Sequence, residues 1–92
     1  MTPEGIIEDF FIKESRRRNA WQCKFLPSIT GVPDRILVYE GQVVFVELKA
    51  KNGRLSARQK LIHKQLRRHG AKVFVPYSEQ DVLKVFEELD SS

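Results

Sequence analysis

Two short runs, Arg35 to Tyr39 and Gln42 to Leu48, constrain the fold more than any other part of the chain. Both are rich in β-branched and aromatic residues, and only Glu40 and Gly41 separate them, the length and chemistry of a two-residue hairpin turn. In that register Tyr39 pairs with Gln42, and counting outward sets Asp34 directly opposite Glu47. Apolar residues lie on both faces, with Ile36, Val38, Val43 and Phe45 on one and Leu37, Val44 and Val46 on the other. Such a sheet is expected to be covered on both sides, and helices must supply the cover.

The flanking sequence provides those helices. Thr2 and Pro3 read as an N-cap and first-turn proline, and Ile6, Ile7, Phe10 and Phe11 recur at helical spacing until the polar stretch Ser15 to Asn19. Ala20 to Leu26 reads as a short strand and Pro27 to Pro33 as a loop. After a polar loop, Ala50 to Leu55, Ser56 and Gln59 form the capping box of a helix with core side Leu61, Ile62 and Leu66, closed by Gly70. Lys72 to Pro76 reads as a strand, and Ser78 caps a last helix that turns Val82, Leu83, Val85, Phe86 and Leu89 inward. The expected order is α-β-β-β-α-β-α, a mixed sheet flanked by helices in the α/β class. With no repeat, low-complexity tract or linker, residues 1–92 are expected to form a single domain.

Opposed residues on a sheet point to the same face with Cβ atoms roughly 5 Å apart, so Asp34 and Glu47 should share one site. Like charges so placed need compensation, and a hard divalent cation, Mg²⁺ or Mn²⁺, suits paired carboxylates. Lys49, two residues after Glu47, points to the same face. The carbonyl oxygen of Leu48 could complete the metal's shell. Such a set suits phosphodiester hydrolysis, with the cation polarising a phosphoryl oxygen and the lysine aimed at the attacking water or at developing charge.

Charge and composition narrow the partners. Sixteen basic against twelve acidic residues leave a net charge of +4, a modest excess that suits a polyanion. Lys51, Arg54 and Arg58 near the candidate site, with Lys24 on the preceding strand, are the favoured phosphate contacts. Lys60, Lys64, Arg67 and Arg68 are read as a solvated face, and Arg16 to Arg18 as either a DNA contact or a match to the helix dipole. One cysteine, Cys23, and two histidines provide neither an internal disulfide nor a zinc set of the usual kind, and His63 and His69 are expected at the surface. Trp21 and Phe25 are expected in the core or at a dimer contact. No apolar run approaches the roughly 20 residues of a membrane span, so a cytoplasmic protein without membrane attachment is expected. No organic cofactor is implied, and a domain this small would gain stability from self-association.

Gly31-Val32-Pro33-Asp34, then Glu47-Leu48-Lys49 after a hairpin, then Ser56 and Gln59 at a helix start resemble the VRR-NUC branch of the PD-(D/E)XK nuclease superfamily. The resemblance covers nearly the whole chain and implies a restriction-endonuclease-like core. It implies Asp34 and Glu47 as metal ligands, Lys49 as the catalytic lysine, Glu8 as the first-helix acid near the metal and Gln59 as a support of the site. Spacing alone does not choose among Glu4, Glu8 and Glu14 for that acid. Small stand-alone members resemble Holliday-junction resolvases, which implies a homodimeric endodeoxyribonuclease acting on branched DNA. The alternatives are a nuclease-fold DNA-binding module without catalysis, a metal-binding interaction protein and a sequence-specific restriction enzyme.

Overall fold

The turn at Glu40 and Gly41 organises the sheet. Both residues hold positive φ, 51° and 76°, the left-handed pair that a type I′ turn requires. In the computed structural model, which describes residues Met1–Ser92, the strands it joins are β2 (Arg35–Tyr39) and β3 (Gln42–Val46). They pair antiparallel from Tyr39↔Gln42 to Arg35↔Val46. β1 (Trp21–Lys24) lies antiparallel on the far side of β2, and β4 (Val73–Phe74) runs parallel to β3, for a strand order β1-β2-β3-β4. The parallel pair is joined through α2 (Ala57–Arg68), the crossover that two parallel neighbours need. With α1 (Pro3–Arg17) before the sheet and α3 (Glu79–Asp90) after it, the element order is the expected one.

One face of the sheet carries the main core. Leu37, Val44 and Val46 alternate onto it, Leu48 follows, and Ile7 and Phe11 of α1 meet Val82, Val85, Phe86 and Leu89 of α3 above them. Each fully buried side chain of this size contributes about 1.5–3 kcal/mol. Thr2 starts α1 by accepting the Gly5 N–H at 3.0 Å. Near the other end of α1, Glu14 is buried and bound by Arg17 at 2.9 Å and Arg18 at 2.7 Å. The hydrogen bond from Arg18 is the main influence holding its carboxyl below the usual carboxylate range, against the opposing effect of burial. Arg18 also lies 4.6 Å over the Phe86 ring. Two of the three consecutive arginines therefore serve a buried acid.

The second face differs from expectation. α2 covers only the end near Val73, so Val43 remains 68% exposed and Trp21 lies at the surface instead of in the core. Within α2 the buried positions are Ile62 and His63, while Leu61 faces outward. His63, expected at the surface, is 1% exposed. The helix is thus rotated about its axis relative to a reading that followed only its aliphatic residues. The edge strands are also shorter than read. β4 holds two residues, yet the carbonyls of Lys72, Phe74 and Pro76 accept from the N–H groups of Phe45, Glu47 and Lys49 at 3.0, 2.9 and 3.1 Å, so β3 is hydrogen-bonded beyond its formal end.

Candidate active site

The residue before Asp34, Pro33, is fully buried, and the loop leading to it lies flat on α2. Gly31 makes that approach possible. Its φ is +99°, and a Cβ there would come within 2.8 Å of the Arg58 carbonyl oxygen and 2.9 Å of Ile62 Cγ1, so a side chain would be both strained and obstructed. Arg58 Nε donates to the Thr30 carbonyl at 3.1 Å and ties the loop down a second time. The Asp34 carbonyl then accepts the Phe25 N–H at 2.8 Å, extending the β1–β2 pairing one step past Lys24↔Arg35. On the other strand, Glu47 and Lys49 are held by the β4 side through their N–H groups. Asp34 and Glu47 accordingly flank the last paired residues, Arg35↔Val46, from opposite strands.

Electrostatics single out Glu47. Its residue is 8% exposed, and its carboxyl is pushed up to about 7, first by burial and then by the charge of Asp34. Lys49 and Lys24 oppose that rise, while Glu4 adds to it. Charges from α1, β1 and both strands of the hairpin therefore converge on one buried acid. The ion pairs of the protein, Arg17–Glu14, Arg18–Glu14 and Arg35–Glu8, leave Asp34, Glu47 and Lys49 out. Adjacent carboxylates without a cationic partner destabilise one another unless a proton or a cation intervenes.

The donor set fits a particular kind of cation. Nowhere do three or more His, Cys, Asp or Glu side chains cluster, so no closed zinc or calcium cage is available. Two carboxylates suit a hard divalent cation that keeps several positions for water and substrate phosphate. Leu48 contributes by anchoring its side chain in the core, which fixes the backbone between Glu47 and Lys49.

The other candidate residues separate by environment. Glu8 is bound to Arg35 at 2.6 Å, and Glu14 is bound near the opposite end of α1, whereas Glu4 is the α1 acid whose charge reaches Glu47. Gln59 Oε1 accepts the Ser56 N–H at 2.9 Å, and the Gln59 N–H donates to Ser56 Oγ at 3.1 Å, completing the capping box. Lys24, Lys51 and Arg54 are exposed. Arg58 is exposed as well, with its Nε engaged on the loop.

Two features escaped the reading of the sequence. His63 is buried with neither ring nitrogen hydrogen-bonded, and burial, followed by the charges of Arg67 and Lys49, pushes its pKa down. Burial and the neighbouring cations thus disfavour the charged form of His63. An open cleft of about 580 Å³ is lined by Lys24, Phe25, Leu26, Pro27 and Asp34. The signal for it in the sequence is the apolar run Phe25-Leu26-Pro27 that follows Lys24.

A mixed four-stranded sheet between helices, with two acids and a lysine beyond one end of its hairpin, defines a compact α/β domain. The chain belongs to the VRR-NUC domain family, whose model matches residues 11–80. A solved structure described as a VRR_NUC domain is similar to it with a TM-score of 0.83 and 28% identity, covering 95% of this chain and 97% of the other. No curated protein sequence matches the chain. None of its helices is long and apolar enough to cross a membrane.

Proposed function

We propose that residues 1–92 form a metal-dependent endodeoxyribonuclease domain that acts on branched DNA as a homodimer. The observation that carries this reading is the placement of Asp34 on one strand and of buried Glu47 and Lys49 on the other, just beyond the last hairpin pair Arg35↔Val46. Asp34 and Glu47 would hold Mg²⁺ or Mn²⁺ together with the Leu48 carbonyl. When bound, the cation supplies polarisation of a phosphoryl oxygen and a lowered pKa for coordinated water. Lys49 places a positive charge beside the reacting phosphate, where it orients the attacking water and opposes the charge that develops on phosphorus. Lys24, Lys51 and Arg54 bind neighbouring phosphates, giving an affinity that falls with salt. Arg58 adds charge at the same rim while holding the Asp34 loop. Glu8 supports the site through Arg35, and Gln59 supports it through the start of α2.

The test is cleavage of a labelled four-way junction, a flap and a linear duplex by wild type, Asp34→Ala and Lys49→Ala with Mg²⁺, Mn²⁺ or EDTA. Metal-dependent cutting of the junction in preference to the linear duplex, lost in both variants while DNA binding survives, is the expected result. Binding by wild type without cutting any substrate under either metal would instead assign a DNA-binding module.

A further inference from the structure

We propose that the cleft beside Asp34 receives an unstacked nucleotide next to the cleaved phosphate, with Phe25 and Leu26 against the base and Lys24 on the phosphate. The inference rests on the nuclease reading and extends it to the basis of substrate choice.

Position is the first argument. Asp34 is at once a candidate metal ligand and a wall of the cleft, so whatever fills the cleft adjoins the phosphate held at Asp34 and Glu47. The second argument is chemistry. Phe25, Leu26 and Pro27 supply apolar and aromatic surface, and the only other lining residues are a cation and a carboxylate. A base with its phosphodiester matches that division, because base-aromatic stacking tolerates any base and a lysine holds the phosphate. The volume of about 580 Å³ lies within the roughly 300–1,000 Å³ of small-ligand sites.

Leu26 is 93% exposed at the mouth of this cleft. Its apolar surface is unused by the fold and is placed where it can enter a base step. The supporting backbone is already fixed. The Phe25 N–H is bonded to Asp34, Gly31 packs on α2, and Arg58 holds Thr30. A preorganised loop of this kind loses little entropy on binding. Extracting a base from continuous duplex costs a few kcal/mol, and least where pairing is already interrupted. The cleft would therefore favour a branch over a linear duplex without reading sequence.

The experiment uses four-way junctions and matched linear duplexes carrying 2-aminopurine at successive positions around the branch, with the full chain bearing Lys49→Ala so that DNA is bound uncut. The expected result is a fluorescence rise of several-fold at one position of the junction and none in the duplex. Adding Leu26→Ala or Phe25→Leu to that chain should abolish the rise, and Phe25→Leu should weaken junction binding by about tenfold, the effect of losing one aromatic stacking contact. With Lys49 restored, Leu26→Ala should reduce junction cutting. Because Leu26 is exposed, its variant keeps the fold even where a Phe25 variant does not.

Junction binding with no fluorescence rise, or a rise that survives Leu26→Ala, overturns the proposal. So does a Leu26→Ala protein that handles DNA normally but changes its mass in solution, since the cleft would then be a contact between copies. Cutting by wild type without the fluorescence signal rejects the cleft and keeps the nuclease reading. The signal without cutting does the reverse.

Discussion

Arg35 donates to Glu8 at 2.6 Å, joining the first helix to the residue immediately after Asp34. The Arg35 side chain is only 5% exposed, while that of Glu8 is 37% exposed. The same guanidinium donates to Gln22 Oε1 at 2.6 Å and lies 5.6 Å from the Phe11 ring centroid. A charge so deeply placed depends on its partner, and removing that partner leaves it uncompensated.

Glu8→Ala should therefore lower stability by about 2 kcal/mol, less than a fully buried pair because Glu8 keeps contact with water. Glu8→Gln retains an acceptor and should lose about half as much. Urea denaturation of both variants, with Arg35→Met and the double mutants, gives the coupling directly. A Glu8→Ala protein of wild-type stability but without metal-dependent cleavage would place Glu8 at the cation and not in a structural pair.

The glycines supply a second contrast. Gly31 and Gly41 both have positive φ, but Gly41 has open space where a Cβ would stand, whereas at Gly31 backbone and side-chain atoms of α2 block it. Gly41→Ala should cost about 1 kcal/mol of backbone strain and leave DNA cleavage intact. Gly31→Ala carries the same strain plus the displacement of the Asp34 loop, so it should lose about 2 kcal/mol or more and reduce cleavage beyond what stability explains. Equal losses of stability and activity in the two variants would deny Gly31 any special role in positioning Asp34.

At the head of α2, Gln59 separates support from chemistry. Ser56→Ala should cost about 1 kcal/mol through the lost cap. Gln59→Glu keeps an acceptor for the Ser56 N–H and should retain both stability and cleavage if Gln59 acts only through the cap. Gln59→Ala would lose stability in part. Thermal melts paired with junction cleavage decide the point, because full stability with lost cleavage in Gln59→Glu would require a direct contact of the amide with the reacting groups.

The hairpin register is legible in the chain because a two-residue turn of two left-handed residues permits one register, and every pair out to Arg35↔Val46, the one that Asp34 and Glu47 flank, follows from it. The start of α2 is legible for a similar reason, since Ser56 and Gln59 satisfy one another within four residues. Cover of the second sheet face is not local. One helix, α2, packs at one end of it, and the aliphatic pattern Leu61, Ile62 and Leu66 does not reveal that His63 turns inward while Leu61 turns out. The same limit applies to the acids of α1. Their spacing is compatible with several roles, and only packing shows that Glu14 meets Arg17 and Arg18, Glu8 meets Arg35, and the charge of Glu4 reaches Glu47.

Glu47 links the site to pH. Its carboxyl is pushed up to about 7 in the folded chain from an ordinary value of 4.5, so the folded state holds the proton more tightly than the unfolded one. Below the ordinary value both states are protonated and the group is neutral to stability. As pH rises from there to about 7 the unfolded chain ionises first, stability falls, and the full penalty is present above about 7. Glu47→Gln removes that penalty and should stabilise the metal-free protein at pH 8 by about 2 kcal/mol, a figure reduced for the carboxylate's remaining contact with solvent, with almost no effect near pH 4.5. Because a proton and a divalent cation compete for the same oxygens, stabilisation by Mg²⁺ or Mn²⁺ should grow between pH 5.5 and 8 in wild type and be absent in Glu47→Gln. Melting curves of both proteins across that range, with metal and with EDTA, measure the two effects together. Destabilisation of Glu47→Gln at pH 8 without metal would mean that the acid already has a favourable partner in the fold, and an equal response of both proteins to metal would remove Glu47 from the cation's ligands.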